Sequence, residues 1–254
     1  MMRGLILAVQ FLTRIPTPQV RDFRADDLSR AAKWFPLVGL LIGALVALAL
    51  AALAPIDPWI GALAGLIVWV WITGALHLDG LGDMADALGA SHRDPARFTE
   101  VLKDPHKGTF GVVVIVIAIL AKFVLLARVD PWAIVLIAAW ARLGTLAWSL
   151  WIAPLATNAA ENSSDVSDAG NANNAGSGER FAWQIRAHHI GFWALALMAL
   201  SAWLAPPLLL APVAIAAYGV WLKRRLGGMT GDCLGAGVEI VEVTLLAIAI
   251  LVPL

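Results

Sequence analysis

Long apolar runs separated by short polar breaks dominate this chain. Runs able to cross a hydrocarbon core of about 30 Å lie near 35–54, 59–76, 111–128, 132–153, 190–205, 208–222 and 236–254. The fifth and sixth are short, and Pro206-Pro207 stands between them. A proline pair removes backbone donors and breaks a helix, so two spans are expected there; one continuous span over 190–222 is the alternative. The pattern predicts an all-α, polytopic membrane bundle of about seven transmembrane helices, forming a single domain over 1–254.

The polar breaks set an orientation. With seven spans, one side of the membrane receives the N-terminal segment and the loops 77–110, 154–189 and 223–235, which together hold 15 of the 18 Lys and Arg residues. Positive loops face the cytoplasm, so the N-terminus is expected inside and the C-terminus outside. Merging the fifth and sixth spans would send Lys223, Arg224 and Arg225 outward, against this rule. Every motif-bearing loop then falls on the cytoplasmic face of a bacterial inner membrane. The opening MMRGLILAVQFLTRIPTP has a short apolar core and lacks a small-residue cleavage site, so an interfacial or re-entrant helix is expected rather than a signal peptide.

Composition agrees with the pattern. The chain is 60% hydrophobic and 14% charged, against about one quarter charged in soluble domains. A net charge of zero suggests no nucleic-acid partner. The single cysteine, Cys233, excludes an intrachain disulfide and reads as a small filler in a Gly-rich loop. Thr157 to Gly178 is rich in Asn, Ala, Ser and Gly, and is expected to form a flexible cytoplasmic loop without a catalytic role.

The most informative polar stretch runs from His77 through Asp79, Asp83 and Asp86, directly after the second apolar run. Positions i, i+4 and i+7 lie within roughly 60° of one another on a helix, so the three carboxylates share a face. Three acids so close at a membrane boundary are costly unless a hard divalent cation such as Mg²⁺ or Mn²⁺ neutralises them. A solvated helix start is the plainer alternative, but it would not cluster its acids on one side. Asp79, Asp83 and Asp86 are therefore candidate metal ligands.

Further constellations follow. Lys103, Asp104, His106, Lys107 and Thr109, set among glycines before the third span, resemble a phosphate cradle at a helix N-terminus. The stretch Gly227–Gly237 holds five glycines in eleven residues and includes Thr230 and Asp232; it reads as a poor helix and a close-approach surface for a ligand. Glu239 and Glu242 lie one turn inside the last span, where ionisable residues are expensive and mark function. Arg142, midway along the fourth span, is expected to pair with a carboxylate or reach a ligand phosphate, whereas Lys122 is expected to snorkel. Arg14, in the Pro16/Pro18 segment, could join the same face.

These motifs occur in order: Phe11-Leu12-Thr13-Arg14-Ile15-Pro16, Phe35-Pro36-Leu37-Val38-Gly39, His77 to Asp86, Lys103-Asp104 through Lys107-Gly108-Thr109-Phe110-Gly111, and Gly228 to Ala236. Together they resemble the cobalamin synthase (adenosylcobinamide-GDP ribazoletransferase) family of integral membrane enzymes, over residues 4 to about 242. The main departure from the family's pattern is the Asn/Ser-rich stretch at 157–178. The resemblance implies that GDP-activated adenosylcobinamide and α-ribazole, or its 5′-phosphate, are joined with release of GMP, with Mg²⁺ as cofactor. In that chemistry Asp79 and Asp83 would hold Mg²⁺, and Asp86 or Asp104 would accept the hydroxyl proton. His77, Arg14, Arg142, Lys103, His106, Lys107, Thr109, Thr230, Asp232, Glu239 and Glu242 would contact substrate or phosphate. The lipid bilayer is the expected environment, and a homo-oligomer or association with other cobalamin-assembly enzymes is compatible with the resemblance. Two rivals remain at this point. One is another membrane phosphotransferase using a nucleotide-activated head group and an alcohol acceptor. The other is a secondary transporter, which would place its ionisable residues near the midplane with outlets on both faces.

Overall fold

A computed structural model describes residues 2–20, 25–91, 95–102, 106, 108–155 and 185–252, and these are helical apart from their connections. Among the described residues eleven α-helices run in order: α1 (Met2–Leu12), α2 (Ala25–Ala31), α3 (Phe35–Leu53), α4 (Pro58–Thr73), α5 (Leu76–Ser91), α6 (Pro95–Leu102), α7 (Thr109–Leu126), α8 (Pro131–Trp151), α9 (Ala187–Leu204), α10 (Ala211–Leu226) and α11 (Gly231–Leu251). Short 3₁₀ turns at Ala32–Trp34 and Pro206–Leu210 lead into α3 and α10. Lys103, Asp104, Lys107 and the 157–178 stretch lie outside the described residues.

Among the described residues six segments are long and apolar enough to cross a membrane, and α4 with α5, bent by 83°, makes a seventh if the pair is one broken span rather than a re-entrant loop. The spans expected from the sequence therefore reappear as α3, α4, α7, α8, α9, α10 and α11. The break between the fifth and sixth is real: Ala205 leaves helical geometry and Pro206 opens a separate turn. Met2–Leu12 is too short to span and packs through Leu7, Ala8 and Leu12.

At one end of the bundle two helices begin with the same local device. Asp57 precedes Pro58-Trp59 and accepts hydrogen bonds from the Trp59 and Ile60 amides at 2.7 and 3.2 Å. Asp130 precedes Pro131-Trp132 and accepts from the Trp132 amide at 2.8 Å. Aspartate satisfies the orphan N–H groups, and proline suits the first helical turn. Both tryptophans are exposed, as expected for rings at a membrane–water boundary.

The bundle closes around α8, whose side chains are buried along most of its length. Against it lies α3, and Gly39 and Gly43 set the approach. A Cβ on Gly39 would come within 2.6 Å of Ala138 O and Ala139 Cα, and one on Gly43 within 2.6 Å of Val135 Cα. Small residues four apart let two membrane helices meet backbone to backbone, where packing replaces the missing hydrophobic drive.

The stretch from Gly227 to Gly237 departs from expectation. It was expected to be a poor helix, yet α11 begins at Gly231 and runs through Gly235 and Gly237. The helix cost of glycine is offset by packing: a Cβ on Gly237 would lie 2.5 Å from both Trp148 Cζ3 and Tyr218 Cε1. Cys233 is consequently a buried helix residue, and its carbonyl accepts the Tyr218 hydroxyl at 2.5 Å. Close approach was the right physical reason, and the partners are neighbouring helices.

Candidate active site

The site grows from the bend between α4 and α5. Gly74 (φ 60°) and Ala75 (φ 58°) are both left-handed, which turns the chain sharply and ends α4 after only sixteen residues. Alanine pays a steric cost there that glycine avoids, so the bend is held by its surroundings. The Arg14 amide donates to Ile72 O at 2.7 Å, and the Arg14 side chain lies over Gly74, where a Cβ would be 2.2 Å from Nε. Arg14 is thus placed at the bend, with its side chain exposed.

Beyond the bend, α5 folds back into the bundle against α11 and α7. Gly80 and Gly235 make the first contact possible: a Cβ on Gly80 would sit 3.0 Å from Asp232 O and 3.4 Å from Gly235 Cα. This crossing brings Asp79 and Asp232, 153 positions apart in sequence, to the walls of one cavity. The cavity measures about 170 Å³, and its polar lining is His77, Asp79, Thr145 and Asp232. Phe11 and Phe35, stacked at 5.8 Å between centroids, form its apolar wall. Asp79 is exposed, and Asp83 is half-buried one turn further along α5.

Asp86 has a defined task. Its Oδ2 accepts from the Gly108 amide and its Oδ1 from the Gly111 amide, both at 2.7 Å. A side chain from α5 therefore caps α7, satisfying donors that its own N-cap, Gly108, leaves open. Both partners must be glycine, because a Cβ at either position would fall within 2.4 Å of an Asp86 oxygen. Thr109 is exposed at the first turn of α7, and His106 is exposed just before it. The expected cradle thus has its helix N-terminus in place, already occupied in part by Asp86.

Thr230 is an N-cap, its hydroxyl accepting from the Cys233 amide at 3.3 Å. Beneath the cavity lies a buried ion network. Lys122 Nζ is 2.7 Å from Glu239 and also contacts Glu242, which in turn binds Arg142 Nη1. Lys122 further sits 4.6 Å from the centroid of the Trp69 ring. Lys122 was expected to snorkel, but it is 3% exposed and points inward, because two glutamates and an aromatic face offer more there than a distant interface. Arg142 takes the carboxylate rather than a ligand phosphate. Glu239 and Glu242 accordingly face cations of their own bundle.

One contact links network and cavity: Arg142 Nη2 lies 3.4 Å from His77 Nδ1. A guanidinium only donates, so Nδ1 accepts and the ring proton resides on Nε2. Among the described residues no group of three or more His, Cys, Asp or Glu converges as a self-sufficient metal cage. Two carboxylates, Asp79 and Asp232, instead line one cavity.

The structure thus gathers His77, Asp79 and Asp232 at one opening, with Asp83 on the adjoining turn, and directs Asp86, Thr230, Glu239, Glu242 and Arg142 to structural partners. Thr145, Phe11 and Phe35 were missed as lining. Thr145 had a signal, a hydroxyl three residues after Arg142 in an apolar span; the two phenylalanines had none beyond lying in the quoted motifs.

These features define a class: a polytopic helical membrane protein with an acidic cavity between its helices. Residues 4–250 match the family model described as cobalamin-5-phosphate synthase, and the chain belongs to that family. It is similar to the adenosylcobinamide-GDP ribazoletransferases of Thiobacillus denitrificans (51% identity, covering 98% of this chain and 95% of the relative) and Laribacter hongkongensis (52%, covering 98% and 97%). The one from Novosphingobium aromaticivorans is 46% identical over 96% of this chain and 95% of the relative. No solved structure matches.

Proposed function

We propose that this chain is an adenosylcobinamide-GDP ribazoletransferase, joining GDP-activated adenosylcobinamide to α-ribazole or its 5′-phosphate and releasing GMP in cobalamin biosynthesis. The observation that carries the reading is the pairing of Asp79 and Asp232 across one cavity, in a chain matched to the family nearly end to end. The chemistry requires a ribose hydroxyl to form a P–O bond to the phosphorus attached to cobinamide. The diphosphate bond to GMP breaks, and the hydroxyl proton passes to a base. Such reactions are mainly positioning and charge neutralisation.

Asp79 and Asp232, on the walls of the cavity, would hold Mg²⁺ together with the substrate's phosphates, and Asp83, one turn along α5, would add negative charge beside it. Bound there, the ion would offset the charge of the diphosphate oxygens. His77, held through Nδ1 by Arg142, presents Nε2–H as a donor for a phosphoryl oxygen. Asp86, with both oxygens held by α7, positions the start of that helix. Asp104 is then the candidate to accept the hydroxyl proton, with Lys103, His106 and Lys107 holding the GMP phosphate. Phe11 and Phe35 offer an apolar wall for a planar base. The excess of Lys and Arg in the loops of this end supports a cytoplasmic orientation in a bacterial inner membrane.

The test is GMP release from adenosylcobinamide-GDP by purified protein in nanodiscs. Release should require α-ribazole, stop with EDTA and return on adding Mg²⁺. Full turnover in metal-free buffer would remove the metal assignment; turnover with a lipid alcohol in place of α-ribazole would favour the head-group transferase instead.

A further inference from the structure

A second cavity, of about 220 Å³, opens beside the first and has the opposite character. It is lined by Ser29, Arg30, Lys33, Leu146, Ile185, Arg186 and His189, with no carboxylate in its wall among the described residues. Its basic groups come from three places in the chain: the end of α2, the 3₁₀ turn before α3, and the start of α9. Trp193 holds the two sides together, its Nε1–H donating to Lys33 O at 2.8 Å. Leu146 of α8 lines this cavity and the adjacent Thr145 lines the acidic one, so the two share one helix as their partition.

Two further observations point to a ligand. Ser29 is 2% exposed and lines the cavity, yet its hydroxyl has no hydrogen-bond partner among the described residues. An unsatisfied buried hydroxyl costs free energy unless something supplies the missing bond. At the other wall, α9 begins without a side-chain cap, leaving N–H donors at its positive end beside Arg186. Lys33 and Arg186 take part in none of the ion pairs among the described residues.

We propose that this cavity binds a phosphate ester, with the Ser29 hydroxyl and the Lys33 and Arg186 cations as its principal donors and Arg30 adding positive charge. The phosphate would come from the 5′-phosphate of the acceptor, while the acceptor's attacking hydroxyl reaches across α8 to the acidic cavity, or from an anionic lipid headgroup. The inference deepens the transferase reading and rests on it for the identity of the acceptor. The partition by α8 explains how an acidic centre could recruit a phosphorylated acceptor: the anion is held away from Asp79 and Asp232, among charges of opposite sign.

The experiment compares wild type with Lys33→Gln, Arg186→Gln and Ser29→Ala, all three checked for unchanged melting temperature. Isothermal titration with α-ribazole 5′-phosphate and with α-ribazole is paired with GMP-release kinetics, in phosphatidylcholine nanodiscs with and without phosphatidylglycerol. If the acceptor supplies the phosphate, the KM ratio of phosphorylated to unphosphorylated acceptor rises at least tenfold in the two charge variants and about threefold in Ser29→Ala. Inorganic phosphate would then compete only with the phosphorylated acceptor. If a lipid supplies it, that ratio stays constant and the variants lose a phosphatidylglycerol-dependent rise in melting temperature that wild type shows. Variants that alter neither the ratio, nor phosphate-ester binding, nor the lipid response would overturn the site. Loss of GMP release from wild type with intact, variant-sensitive binding would instead defeat the transferase reading and leave the site standing.

Discussion

The bundle holds two sets of charges within a few turns of each other, and they are organised on opposite principles. In the buried network, Lys122, Arg142, Glu239 and Glu242 neutralise one another and are all nearly inaccessible. In the cavity, Asp79 and Asp232 line one opening, with His77 between network and cavity. Both sets are ionisable residues in or beside apolar spans, and by composition alone both read as functional. The difference shows that an intramembrane charge is informative about chemistry only once its partner is known. A closed set of opposite charges organises helices, whereas carboxylates that line an opening are placed where a ligand can reach them.

The largest effect should come from opening the closed set. Glu242→Gln leaves Lys122 with one carboxylate and Arg142 with none, and breaking a buried pair costs about 3–5 kcal/mol. We expect a large fall in the melting temperature of the detergent-solubilised protein and poor recovery from the membrane. Glu242→Gln with a wild-type melting profile would mean the network carries no structural weight, and the contrast would collapse.

Next in size, and opposite in kind, is Asp79→Asn or Asp83→Asn. Each should lower GMP release at least roughly a hundredfold, the scale of losing one electrostatic contact to a transition state. Melting temperature should stay within a few degrees of wild type, because neither side chain belongs to the buried ion network. A variant that unfolds would assign these acids to the structural set.

Asp86 tests the boundary between the two sets. Asp86→Asn cannot accept from both Gly108 and Gly111, since its amide nitrogen meets a donor at one of them. The loss of a helix cap predicts about 1 kcal/mol of destabilisation and a partial fall in turnover, smaller than for Asp83→Asn. Gly111→Ala should reproduce both effects by displacing the same carboxylate; equal activity in Gly111→Ala and wild type would show that Asp86 need not hold α7 in place.

The smallest effect belongs to an acid outside both regions. Asp57→Ala removes the cap of α4 at the end of the bundle away from the cavity. About 1 kcal/mol of stability should be lost, with GMP release per folded molecule unchanged. A clear loss of turnover would mean that the far end of α4 communicates with the bend at Gly74.

The apolar runs by themselves determined the spans, because a bilayer imposes one length and one polarity on any helix that crosses it. Asp79 and Asp83 were legible for a similar local reason: i, i+4 spacing places side chains together on any helix. The roles of the remaining polar residues were decided elsewhere. Nothing local says that Glu242 faces Arg142, 100 positions away, or that Lys122 turns inward to Trp69 and Glu239. Nor could the Asp-Gly spacing reveal that Asp86 would cap α7, a task that exists only because Gly108 and Gly111 allow a carboxylate so near. The acidic cavity itself depends on two glycines, Gly80 and Gly235, which read as breakers in sequence and became the contact that sets Asp79 against Asp232. Helix length and facial spacing are properties of a segment and its solvent, so the chain declares them. Charge partners are properties of distance between segments, and only the packing of α5, α8 and α11 established those.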